Sequence, residues 1–261
     1  MKKIQFIKLL ALGIILSMST VFSSCSKDDD TTTTSTSTVE SVFALNFSRS
    51  FNDGRTDIYV GFSTNNISEI PKVVVNGKEL EDFGMEAGGI YGDTRISFAS
   101  NITYSVSSNG KTTSGSITMP DTITNVTFND LLLKRNSDNS LVYAPEYIVK
   151  WNKITCDYQR FSYYLNNKDT TGYMDANLET LTITDNQQTS NWVEVTIYSI
   201  NGNKMVTGSK PNVSGDYGKG YIRAEVRNRY SLNTYNKSLL FTPVYTNNND
   251  EFKKAFQSLI K

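Results

Sequence analysis

ITYSVSSNGKTTSGSITM, residues 102 to 119, reads as one β-hairpin. Ile102, Tyr104 and Val106 alternate with polar neighbours, the period of a strand with one buried face. Asn109-Gly110 follows. A two-residue hairpin turn favours that dipeptide because both central residues take φ > 0. The return strand carries Ile117 and Met119. VVVNGKEL, residues 73 to 80, repeats the same strand-then-turn pattern.

Alternation extends in both directions from this hairpin. Phe43, Leu45 and Phe47 form one apolar phase, and Ile58, Val60 and Phe62 another. Val126 and Phe128 make a last short strand of the first set. LKRNSDNSLVYAP, residues 133–145, is polar and turn-rich and predicts a linker. The pattern then restarts with Tyr147, Val149 and Trp151, then Phe161, Tyr163 and Leu165, then Leu181 and Ile183. Val193, Val195 and Ile197 sit in NWVEVTIYSINGNK, residues 191–204, which ends in another Asn-Gly turn signal. Ile222, Ala224 and Val226 follow, and Leu239 with Phe241 closes the set. Two such sets, each of about 100 residues, predict an all-β chain of two tandem sandwiches, residues 41–132 and 146–246. The tail, residues 247–261, breaks the pattern. Phe252, Phe256 and Leu259 recur at helical spacing, and Asn248 with Glu251 offers a capping pair, so a short C-terminal helix is expected.

Both halves resemble immunoglobulin-like and fibronectin-type-III-like β-sandwich modules. Trp151 in YIVKWN resembles the core tryptophan of an early fibronectin strand, and YIRAEVRN, residues 221–228, resembles a late one. Tyr221 falls on the opposite phase from Ile222, Ala224 and Val226, which departs from a tyrosine corner. The resemblance implies architecture and no activity.

The first forty residues speak of location. Lys2, Lys3 and Lys8 precede an apolar run, residues 9–21, that falls short of the roughly 20 residues a membrane-spanning helix needs. Residues 1–24 therefore read as a secretory signal. Phe22-Ser23-Ser24-Cys25 resembles the lipobox of bacterial lipoproteins, with Phe22 where that family prefers Leu. The resemblance implies that Cys25 carries lipid, and each buried CH₂ adds about 0.8 kcal/mol of membrane affinity. Lys27, Asp28, Asp29 and Asp30 resemble the acidic signal that sends some lipoproteins to the outer face of the outer membrane. The rest of residues 25–40 is a Thr/Ser tract, expected as a flexible tether.

The chain holds 26 basic and 26 acidic residues; without Lys2, Lys3 and Lys8 the balance is 23 against 26, a net charge near −3. No basic stripe marks a nucleic-acid partner. There is no histidine, which excludes Ser-His-Asp and Cys-His catalysis and histidine-held zinc or haem. Once Cys25 is lipidated, Cys156 has no intramolecular partner and reads as a small buried hydrophobe. The carboxylates Asp57, Glu69, Asp157 and Glu194 are scattered, and NDGRTD, residues 52–57, is closer to a hairpin tip than to a calcium loop. No cofactor, metal or enzymatic activity is expected. Aromatic residues are the stronger lead, with 15 Tyr, 13 Phe and 2 Trp. Strand phase puts Trp192, Glu194, Thr196 and Tyr198 on one face, with Tyr158 and Tyr164 on the matching phase of YQRFSYYL, residues 158–165. That face is expected to be either a platform for a glycan or surface protein, or ground covered by the C-terminal helix, the linker or the first sandwich.

The sequence thus points to a non-catalytic, lipid-anchored surface protein that binds a glycan or mediates adhesion. The alternative is a structural component of a surface appendage or outer-membrane assembly. Cys25→Ala is expected to abolish palmitate labelling and release the protein from membranes; undiminished labelling would remove the lipobox reading.

Overall fold

The computed structural model describes residues 41–50, 56–63, 70–80, 89–94, 97, 100–129, 132–135, 137–138, 141–143, 145–185, 192–233, 238–241 and 249–261. The chain runs through β1 (Ser41–Ser50), β2 (Thr56–Phe62), β3 (Lys72–Val75), β4 (Lys78–Glu79), β5 (Gly89–Thr94), β6 (Asn101–Ser108) and β7 (Lys111–Thr118). It continues with β8 (Thr127–Phe128), β9 (Leu132–Arg135), β10 (Leu141–Tyr143), β11 (Glu146–Lys150), β12 (Tyr158–Leu165), β13 (Lys168–Asp175) and β14 (Thr180–Thr184). It ends with β15 (Trp192–Gly202), β16 (Val213–Ser214), β17 (Gly218–Asn233), β18 (Ser238–Phe241) and the helix α1 (Asn249–Leu259). Among the described residues the protein is all-β apart from that helix, as the alternation predicts. Among the described residues no helix is long and apolar enough to cross a membrane.

The opening hairpin forms as read. β6 and β7 pair from Asn101↔Thr118 to Ser108↔Lys111, and Asn109 and Gly110 take φ of 52° and 73°. Asn76-Gly77 does the same between β3 and β4, at 49° and 79°. The third Asn-Gly behaves differently. Asn201 and Gly202 close β15 while still paired to Ala224 and Arg223, so no tight hairpin forms there. The Asn201 side chain is spent elsewhere, accepting from the Asp157 N–H and donating to the Thr118 carbonyl.

One nine-stranded sheet organises the molecule, in the order β13-β12-β15-β17-β1-β2-β5, with β16 and β18 also paired to β17. It draws strands from both sides of residues 133–145. β1, near the start of the folded part, lies parallel to β17 from Ser41↔Gly218 to Ser50↔Arg227. β15 pairs antiparallel along the other side, from Trp192↔Asn233 to Gly202↔Arg223. The sheet is therefore continuous across the expected linker, and that linker itself carries the β9–β10 hairpin. β8, expected to end the first set, pairs with β11 of the second. Val39–Lys261 forms one compact unit. Local alternation selects strands but does not choose distant partners, so a parallel pairing of strands 177 positions apart, Ser41 with Gly218, left no local signature.

Two small sheets pack on the large one. β4-β3-β6-β7 encloses a core with Phe43, Leu45, Phe47, Ile58, Ile222 and Val226. β14-β11-β8 encloses a second core with Tyr147, Val149, Trp151, Val193, Val195 and Ile197. Cross-strand partners share a face, and Val226 pairs with Ser199, which is in phase with Ile197. Both small sheets thus cover the same face of the large sheet, here termed the front. β17 supplies Ile222, Ala224 and Val226 to the first core although it lies in the second half of the sequence.

Between the cores the front face turns polar. Met119 belongs to the first core and Ile123 to the second, and the segment joining them crosses the sheet there. Ser199 Oγ donates to the Asp121 carbonyl at 2.7 Å, and Thr122 Oγ1 donates to Asn228 Oδ1 at 2.9 Å. Ser199 and Asn228 are buried, so these bonds satisfy groups that would otherwise cost about 1–3 kcal/mol each.

Trp151 is 3 % exposed inside the second core. Trp151→Ala is expected to cost roughly 3–5 kcal/mol, read as a lowered denaturation midpoint. An unshifted midpoint would mean that its burial contributes nothing to stability.

Candidate functional site

The back of the large sheet carries the residues singled out in sequence. Tyr158 pairs with Ile200, Tyr164 with Glu194, and Thr196 and Tyr198 lie in phase with Glu194. Trp192 stands two positions from Glu194 in β15, and its side chain lies outside the described residues. Cys25, Lys27, Asp28, Asp29 and Asp30 also lie outside them, as do residues 52–55 and Glu69.

The expected exposed aromatic platform is corrected by burial. Tyr198 is 2 % exposed and Tyr158 4 %. The Arg160 guanidinium lies over the Tyr198 ring, 5.0 Å from its centroid, and Arg160 pairs with Glu251 of α1 at 2.6 Å. Tyr158 donates to the Asn203 carbonyl at 2.7 Å, with Lys204 Nζ over its ring. Neither tyrosine has a free ring face for stacking. Tyr164 is half-buried and donates to Asn167 Oδ1, Glu194 pairs with Arg229, and Thr196 stands half-buried between them. Strand phase reported the side correctly but not what covers it.

The cover is α1. Phe252 and Phe256 sink onto Ala44, Tyr59 and Tyr221 of the back face. Beside them β17 carries an inner row of charge. Arg223, Glu225 and Arg227 are 6 %, 3 % and 2 % exposed. Arg223 and Glu225 form an ion pair, Ser48 Oγ donates to Glu225 at 2.7 Å, and Arg227 reaches Asp57 at 3.4 Å. Burial alone would raise the Glu225 pKa. Arg223 and Arg227, with the hydrogen bonds from Ser48 and Arg223, overcome it and hold the carboxyl below the usual carboxylate range. In sequence this row reads as a solvated strand face, because charge alternating with apolar residues is the pattern of a half-exposed strand. A small cavity of about 180 Å³ remains beneath the helix between Arg160, Tyr173, Arg223 and Glu251.

The larger opening is on the front, at the seam between the two cores. A hollow of about 580 Å³ is bounded by Tyr104, Ile117, Asp121, Asp157, Asn201 and Asn212. That volume lies in the range of about 300–1,000 Å³ typical of small-molecule sites. Its floor is fixed by a closed set of bonds. The Asp157 N–H donates to Asn201 Oδ1 at 2.9 Å, Gly202 N–H donates to Asp157 Oδ2 at 2.7 Å, and Asn212 bonds both ways with the Ile222 backbone. Gly202 has φ of 93°, and a Cβ there would meet the Ile222 carbonyl at 2.4 Å, so no other residue fits without a backbone shift. Asp121 is exposed at the rim. Cys156 also lines the hollow, and its thiol is pushed up by burial, with Asp157 and Asp175 adding to the rise, so it stays protonated and a poor nucleophile. Among the described residues no three of His, Cys, Asp and Glu cluster as metal ligands would. Apolar Ile117 and Tyr104 line it together with amide, hydroxyl and carboxylate groups. Sequence reading missed this hollow because its walls come from β6, β7, the residues before β12, the end of β15 and the loop after it, which only long-range pairing brings together.

No known family and no curated protein matches the sequence.

Glu225→Gln is expected to destabilise the fold by roughly 3–5 kcal/mol by leaving the buried Arg223 guanidinium without its counter-ion. The depressed pKa of Glu225 fixes the sign of the pH effect. The stability it contributes is present above its unfolded pKa of about 4.3 and is lost as pH falls through the lower folded value. Unfolding curves between neutral and acid pH should therefore converge for wild type and Glu225→Gln; a constant gap would contradict the ion-pair account.

Proposed function

We propose that this protein is a non-catalytic lipoprotein of the outer membrane, facing the cell exterior, that binds a glycan or a surface partner. The observation that carries the reading is the seam hollow, which is ligand-sized, open, and walled by hydrogen-bonding side chains held in place from below. The lipobox-like Cys25, Lys27 with the acidic run Asp28 to Asp30, and the Thr/Ser tether supply an anchor and a spacer for such a module. The absence of histidine from the sequence supports binding over the common hydrolytic mechanisms. In architecture we read two immunoglobulin-like or fibronectin-like modules fused along a common strand. The two apolar cores, each under its own small sheet, support that reading.

The test pairs a glycan array with affinity capture from solubilised membranes, both using the full chain. Asp121 makes no side-chain hydrogen bond among the described residues, so Asp121→Ala should lower glycan binding while the melting temperature holds. Failure to bind any glycan, together with capture of one stoichiometric protein partner, would overturn the reading in favour of a structural component.

A further inference from the structure

The seam hollow does not end at Gly202. A second hollow, also of about 580 Å³, adjoins it and shares Asp157, Gly202 and Asn212 with the first. Its far wall is the loop of residues 203–212. That loop is built rather than slack. Asn203 Nδ2 donates to the Lys210 carbonyl at 2.7 Å, and Asn203 Oδ1 accepts from the Met205 N–H at 2.9 Å. Ser209 Oγ accepts from the Val206 N–H at 3.0 Å, and the Ser209 N–H donates to the Val206 carbonyl at 2.8 Å. Met205 at φ of 56° turns the chain and buries its side chain on the back face beneath α1. The loop thereby presents Val206 to solvent, 39 % exposed, on the wall of the second hollow.

Resting on the glycan reading above, we propose that the two hollows form one groove that binds an extended saccharide chain laid across Gly202, rather than capturing a single sugar. Three observations converge. The hollows are continuous through three shared residues. At their junction Asp157 is held by the Gly202 N–H through Oδ2, leaving Oδ1 to accept from ligand hydroxyls on either side. Each half pairs polar groups with an apolar contact, Ile117 in the first and Val206 in the second, which suits the alternating hydroxyl edges and C–H faces of successive sugars. Charge differs along the groove, with Asp121 in the first half and Lys210 in the second, which gives the bound chain a direction.

The experiment measures equilibrium binding of the full chain to oligosaccharide ladders, monomer to octamer, cut from cellulose, mannan, laminarin and chitin. For the ladder that binds, affinity should climb with length by roughly tenfold or more, about 1.4 kcal/mol, before reaching a plateau. Lys210→Ala alters a side chain of the second hollow and keeps the carbonyl that Asn203 uses. It should weaken the long members while leaving the short ones and the melting temperature unchanged. Asp121→Ala should weaken members of every length. Binding already maximal for a mono- or disaccharide, or long-chain binding indifferent to Lys210→Ala, would overturn the groove while leaving the glycan reading intact. Binding to no ladder would remove the glycan reading and the groove with it.

Discussion

Everything in this molecule hangs on β17. Its sixteen residues are hydrogen-bonded on one side to β1 and β18 and on the other to β16 and β15. Over Arg223 to Arg227 both flanks are long strands, so the backbone there is satisfied on both sides, as a buried ladder requires. The front of β17 gives Ile222, Ala224 and Val226 to the first core, and its back gives Tyr221 to the contact with α1. Because the first core closes only when β17 arrives beside β1, the first half of the chain lacks part of its own core until the second half has been made. Contacts so distant in sequence carry a large loop-closure cost and slow folding.

The two faces of the large sheet are held by different physics. The front is sealed by apolar burial under two small sheets, and between them a polar strip of Ser199, Asn201 and Asn228 ties down the crossing segment at 118–122. The same strip leaves the seam open, since a crossing peptide cannot fill the space that a third small sheet would. Part of the back is covered by α1, which lays Phe252 and Phe256 on aromatic ground and stands beside a buried row of arginines and a glutamate. Such ion pairs contribute little net stability when intact but are costly to break, so the row acts more to fix register between β1, β2 and β17 than to add stability.

How much of this was legible in the sequence divides along one line. Local chemistry was readable. Asn76-Gly77 and Asn109-Gly110 make their turns, Trp151 is buried, and Phe252 and Phe256 form the apolar stripe of α1. What depends on distant partners was not. Period-2 alternation gave the face of Tyr158 and Tyr198 but said nothing of Lys204 over the first or of Arg160, tied to the helix, over the second. Nor does period tell a strand buried on both faces with arginine on one of them, as YIRAEVRN is, from a surface strand. Asn201-Gly202 carried a turn signal that the structure uses to end a strand and fasten the seam. The seam hollow had no local signature at all, its walls being assembled from segments as far apart as Tyr104 and Asn212.

The consequence of a shared β17 is that the two cores should not melt independently. Scanning calorimetry of the full chain, with Trp151→Ala alongside wild type, addresses this directly. Trp151 lies only in the second core and Ile222 only in the first. A single endotherm is expected for wild type, displaced as a whole to lower temperature in Trp151→Ala. Two resolved endotherms, of which the substitution moves only one, would contradict the account and make the halves separate modules.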